Sequence, residues 1–295
     1  MTRDSKLSVL LLTSLLLAGC SGDGPDLSTN TASLTLTITD APIDEANAVW
    51  IKFTGIELKP ESDNPFSINF NTPQLINLMA LQGSDFAFLL ENKGISSGTY
   101  NWMRLKLDAQ SDAMDSYIEL SNGNQYPLYI PSGNEIGLKL NQSFTIPHNG
   151  NLDLTIDFDL RKSIVAQQSG NYILKPSLRL LHTDNTGHIK GTISTTTLQH
   201  SLCTGTDYAI YAYEGENITP DDVDGLGEEP ITTSLVHIDS QSRYAYNLGF
   251  LDEGLYTVTF TCNASDDTPS NSETLNYIGT INATVTAGAT ANYNF

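Results

Sequence analysis

The stretch Leu152-Asp153-Leu154-Thr155-Ile156-Asp157-Phe158-Asp159-Leu160 decides the fold. Apolar side chains take every second position, and Asp or Thr take the positions between. A strand points successive side chains to opposite faces, so this period of two describes a strand with one apolar and one polar face. The pattern recurs along the chain. Leu34, Leu36 and Ile38 alternate with Thr35, Thr37 and Thr39, and Met103, Leu105 and Leu107 alternate with Trp102, Arg104, Lys106 and Asp108. Val49, Ile51 and Phe53 share one parity; after Gly55 the other parity takes over with Ile56 and Leu58, which predicts a β-bulge at the glycine. Only Pro73 to Leu90, with Leu75, Ile76, Leu78, Met79 and Leu81, suggests a short helical turn. The expected fold is all-β: two antiparallel β-sandwich domains, Ig-like or transthyretin-like.

The domain boundary is expected at the polar turn cluster Thr183-Asp184-Asn185-Thr186-Gly187, giving sandwiches over 33–185 and 186–295. Composition shifts there as well, because the only basic residues after Gly187 are Lys190 and Arg243. The chain carries a formal net charge of −20. Such a surface repels phosphate backbones and anionic headgroups, which excludes nucleic acid as a partner. Hydrophobic residues at 39%, with 13 Tyr and 10 Phe, supply enough apolar surface to exclude a disordered chain.

Arg3 and Lys6 precede an apolar run from Leu7 to Leu17, which ends in Leu17-Ala18-Gly19-Cys20. The run is about half the ~20 residues that a membrane-spanning helix needs, so 1–19 reads as a signal peptide. Its end resembles the lipobox of bacterial lipoproteins. That resemblance implies cleavage before Cys20, acylation of Cys20 by fatty chains such as palmitate, and attachment to the membrane through the lipid. With Ser21 rather than Asp after the cysteine, it further implies the outer membrane, facing either the periplasm or the outside. Residues 20–32, rich in Gly, Pro and polar groups, read as a flexible tether.

With Cys20 so used, Cys203 and Cys262 remain as an even pair in an exported protein, and a disulfide between them is expected. Closing that loop stabilises by ~4 kcal/mol in the chain-entropy model. A zinc site is not indicated, since there is no CxxC and the histidines are scattered.

Thr39-Asp40-Ala41-Pro42, Val49 to Leu58, Ile76-Asn77-Leu78 with Leu81, and Gly98-Thr99-Tyr100 leading into Met103-Arg104-Leu105 follow one another in an order that resembles domain-of-unknown-function family 4382. The resemblance covers roughly 33–182 and implies no activity. Gly187-His188-Ile189-Lys190-Gly191-Thr192-Ile193, Asp207 to Tyr213, and Gly254-Leu255-Tyr256-Thr257-Val258 are similar to strands of carboxypeptidase-regulatory-like, transthyretin-type sandwiches. Those motifs imply a fold rather than a function.

Three constellations could carry chemistry. The carboxylates Asp221, Asp222, Asp224, Glu228 and Glu229, on a loop with Gly225 and Gly227, are hard oxygen ligands of the kind Ca²⁺ takes, although the EF-hand pattern is not met. Asp153, Asp157 and Asp159 share a strand face and are expected to be neutralised by Arg104 and Lys106 across the sheet. Trp50 and Trp102 lie opposite the regular aliphatics and could stack on a sugar, or be buried under a loop. No Gly-x-Ser-x-Gly elbow, catalytic Cys–His pair or phosphate loop occurs. The expected role is non-enzymatic: a binding, adhesion or scaffold module of the envelope with a protein or glycan partner. Alternatives are a glycan-binding module assisted by Ca²⁺ and an accessory subunit of an export machine.

Overall fold

The computed structural model describes residues 32–111, 113–131, 137–167 and 170–295. The signal peptide, Cys20 and the tether up to residue 31 lie outside the described residues. Among the described residues no helix is long and apolar enough to cross a membrane.

The fold is all-β. The strands Ser33–Ala41 and Asn151–Asp159 lie side by side, with Leu34 opposite Leu152 and Ile38 opposite Ile156. The pair runs parallel, which departs from the expected purely antiparallel sheets. A parallel pair needs a long crossover, and here the chain between them supplies the facing sheet. Ala87–Gly94 and Leu178–His182 flank the pair to complete a four-stranded sheet. The nine-stranded sheet opposite is built on Ala46–Pro60, which pairs with Phe66–Asn77, Gly98–Asp108 and Tyr117–Leu120. Its register slips between Phe53 and Gly55 against two partners, so Val49, Ile51 and Phe53, then Ile56 and Leu58, all reach the core. A Cβ on Gly55 would come within 2.5 Å of the Ile68 carbonyl oxygen, which is why the bulge holds glycine. The expected helical turn is a single 3₁₀ turn at Leu78–Ala80.

A second pair of sheets follows from Thr186 onward. In one, Thr186–Ile193 lies between Tyr244–Asp252 and, in parallel, Thr290–Asn292. In the other, Ala209–Glu214 and Gly254–Thr261 form the centre, flanked by Thr232–Leu235 and Tyr277–Val285. Ile189, Ile210, Leu248, Tyr256, Val258 and Phe260 fill the space between them. A disulfide joins Cys203 to Cys262 with a Cα–Cα distance of 5.2 Å.

From Thr155 onward the polar face of Asn151–Asp159 is closed off from water, while Asn151 and Asp153 at its start are still reached by it. Thr155, Asp157 and Asp159 are buried, as are Thr37 and Thr39 on the neighbouring strand. The Thr39 hydroxyl is held by the carbonyls of Leu81 and Asp85, both at 2.9 Å. The second unit lies against this sheet through contacts of Ser33–Ala41 with Thr232–Leu235.

Candidate functional site at the junction of the two units

The short helix Leu160–Ser163 follows directly on Asn151–Asp159 and carries two cations into the second unit. Asp159 caps it, accepting the Lys162 N–H at 3.0 Å. The Arg161 guanidinium is 3% exposed; it donates to Asp44 at 2.5 Å and to the Ala264 carbonyl at 2.8 Å, and lies 5.6 Å from the Tyr211 ring centroid. Lys162 reaches Glu229 at 3.2 Å and the Pro230 carbonyl at 2.5 Å. The Arg161–Asp44 pair is internal to the first unit, and breaking it would strand a buried charge at a cost of about 3–5 kcal/mol. The contacts that cross the junction are those of Arg161 with the Ala264 carbonyl and the Tyr211 ring and of Lys162 with Glu229 and the Pro230 carbonyl.

On the other side of the junction, loop 82–85 of the first unit faces the outward surface of the Thr186–Ile193 sheet across a groove of about 630 Å³. Alternation places Lys190 and Thr192 on that surface, and the register builds two cross-strand rows. Asn292, Lys190 and Asn247 form one row; Thr192, Ala245 and His237 form the next. Asn294 joins the second row by accepting the Thr192 N–H at 2.8 Å. Arg243 is ion-paired with Asp239 at 2.7 Å, and its backbone and side chain hold the Asp239 carboxyl below the usual range. Asn247 donates to Ser84 across the groove at 3.3 Å, while its Oδ1 receives no hydrogen bond among the described residues. Lys190 and Arg243, the only bases of the second unit, therefore line the same groove, together with Asp85, Asp239 and several side-chain amides. The lining is rich in both donors and acceptors, and its formal charges balance in a molecule that is strongly acidic elsewhere.

The residues singled out from sequence fall in other places. Glu229 pairs with Lys162 and also accepts the N–H groups of Asp224 and Gly225, at 3.1 and 2.6 Å. Asp224 accepts from Leu226, Glu228 is exposed, and Asp221 accepts the Asp222 N–H. Only Asp222 turns inward, to meet Asp267 and Glu273. Arg104 and Lys106 do not neutralise the three aspartates, because they belong to the other sheet: Arg104 pairs with Glu57 at 3.0 Å and Lys106 donates to Asn69 at 2.7 Å. Asp157 is paired instead with Arg179, directly opposite on Leu178–His182, at 2.5 Å, and Asp153 accepts from Asn151. Trp50 is half-buried and stacks on Tyr117. Trp102, also half-buried, lies under Lys139 at 4.6 Å and Arg104 at 5.4 Å, so cations rather than a loop meet its ring. Sequence reasoning missed the groove; the one signal available was the rarity of Lys and Arg in that half of the chain, where Lys190 and Arg243 stand alone.

No curated protein sequence matches the chain. Solved structures that align with it include the Bacillus anthracis TIE protein, at 10% identity and TM-score 0.21, covering 90% of this chain. This chain spans only 33% of that protein's length. The minor pilin GBS52 of Streptococcus agalactiae aligns at 11% identity and TM-score 0.20, covering 89% of this chain and 94% of its own. The major pilin of Streptococcus pyogenes aligns at 11% identity and TM-score 0.19, covering 90% of this chain and 100% of its own. Similarities at this level carry no functional argument. The family comparison is firmer and agrees with the motifs in the first unit: residues 31–176 match the model described as Domain of unknown function (DUF4382), and that part of the chain belongs to this family.

Proposed function

We propose that the protein is a lipid-anchored, non-enzymatic binding module of the bacterial envelope, and that its ligand is a glycan segment seated in the groove between the units. The observation that carries this reading is the pair of cross-strand rows, Asn292–Lys190–Asn247 and Thr192–Ala245–His237, facing loop 82–85. Sugar hydroxyls both donate and accept, and a wall that mixes amides, a hydroxyl and balanced charges offers partners for both. The groove falls within the ~300–1,000 Å³ of ordinary ligand sites, but about half of its lining is polar, where such sites are mainly apolar, which disfavours a purely hydrophobic small molecule. The small side chain of Ala245 leaves the middle of the second row open. Ala245→Tyr fills it without touching the core.

A mixed array of neutral and acidic oligosaccharides, probed with the purified protein, tests the reading. Reproducible binders are expected, with affinity lowered at least tenfold in Ala245→Tyr and the melting temperature moved by less than about 2 °C, as for other surface substitutions. An array without binders, or binders indifferent to Ala245→Tyr, overturns it.

A further inference from the structure

We propose that Asp222, Asp267 and Glu273 form a Ca²⁺ site in the second unit, separate from the glycan groove and independent of it. The three carboxylates come from two loops, and ligand oxygens of all three lie within 4.8 Å of one another. Asp222 is 1% exposed. Its Oδ2 accepts the Glu273 N–H, but its Oδ1, also buried, receives no hydrogen bond among the described residues. A buried carboxylate oxygen without a donor is strongly disfavoured unless a proton or a cation meets it.

Arg161 bears on Asp267 through its charge, but its hydrogen bonds go to Asp44, the Ala264 carbonyl and Thr233, and none of these reaches Asp222 or Glu273. Asp267 is held by two neutral donors, the Tyr211 hydroxyl at 2.6 Å and the Val223 N–H at 2.9 Å. Glu273 accepts the Thr268 N–H at 3.2 Å and the Thr268 hydroxyl at 2.9 Å. These bonds orient each carboxylate while leaving lone pairs for a further ligand. Each oxygen can accept more than one partner, so three carboxylates binding through one or both oxygens supply three to six of the 6–8 oxygens Ca²⁺ takes, and water completes the shell. The donor set is oxygen alone, which disfavours zinc and copper. Mg²⁺ requires near-octahedral geometry and keeps much of its water, and suits a buried carboxylate cluster less well. Bound there, the ion would tie loop 221–229 to loop 264–275. The second of these loops carries the Ala264 carbonyl that receives Arg161, so the ion would also brace the junction of the units.

Terbium emission tests the site. Tyr211, hydrogen-bonded to Asp267, stands where it can sensitise a bound Tb³⁺ when tyrosine is excited. In the chelator-stripped full-length protein, Tb³⁺ luminescence that micromolar to millimolar Ca²⁺ displaces is expected, together with a rise of several degrees in melting temperature at 1 mM Ca²⁺. Asp222→Asn keeps the acceptor for the Glu273 N–H, and Glu273→Gln is nearly isosteric; both are expected to abolish the emission and the thermal shift. Asp224→Asn and Ala245→Tyr should retain both. The absence of Ca²⁺-displaceable emission from the wild type, or an undiminished response in Asp222→Asn and Glu273→Gln, would mean that a shared proton satisfies the cluster and would overturn the proposal.

Discussion

Asp40, next to last in the first strand, is buried, and its carboxylate is short of hydrogen-bond donors, the Leu160 N–H being the one that favours its charged form. Burial, then the nearby charges of Asp157 and Asp159, raises its carboxyl well above the ordinary range. Burial likewise pushes Asp159 up to about 6, against the opposing pull of Lys162. A raised carboxylate keeps its proton in the folded state where the unfolded chain has already lost it. The folded state therefore binds more protons between about pH 4 and 6, and stability falls as pH rises through that window. For Asp159 alone the fall amounts to about 3 kcal/mol at most. Asp40→Asn removes one ionisation from this group, so its melting temperature should decline less than the wild type's between pH 4 and pH 7. Parallel melting curves across that range check the point, and identical declines would refute it. From sequence, Asp40 reads as a strand-end turn residue, and nothing local shows that the Leu81–Asp85 loop and Asn151–Asp159 close over it.

At the scale of elements, the alternating pattern made the strands legible and the glycine at position 55 located the bulge. Partners were harder to read. Ser33–Ala41 pairs with Asn151–Asp159 and Thr186–Ile193 with Thr290–Asn292, in each case across a hundred residues or more. The alternation says which face is apolar and nothing about what covers the polar one. For the same reason Asp222 could be flagged from its acidic loop, while Asp267 and Glu273, some fifty residues further on, could not. The junction depends on another such distant approach. Gly83, at φ +67°, packs against Gly249, and a Cβ on Gly249 would overlap the Gly83 carbonyl. Gly249→Ala must therefore push the loop lining the groove away from the second unit. A cost of about 1–3 kcal/mol is expected, typical of forcing an atom into a packed site, along with weakened glycan binding. Gly254→Ala is the matched control, since its Cβ would make only an ordinary 3.8 Å contact with Tyr256. Urea titrations of both variants should show a loss confined to Gly249→Ala; equal midpoints would remove the close approach from the account.

For the whole molecule, a body of net charge −20 gains no electrostatic attraction to anionic headgroups. The proposed attachment would therefore rest on the lipid at Cys20. One acyl chain holds a protein only marginally and reversibly, and the several chains that the lipobox resemblance implies are needed for lasting attachment. A flexible tether over 20–32, as the sequence leads one to expect, would have a root-mean-square span of ~20 Å. Such a reach would keep the proposed groove close to the bilayer rather than far beyond it. Its ligand would then be a glycan of the same envelope, or one on a surface in direct contact with it. Cells grown with an alkyne-tagged palmitate should incorporate the tag into the wild-type protein and not into Cys20→Ser. Protease added to intact and to permeabilised cells would then show which side the two units occupy. Digestion of intact cells would match a glycan presented from outside, and protection until permeabilisation one within the periplasm. Equal tag incorporation in wild type and Cys20→Ser would sink the anchor, and the argument from tether length with it.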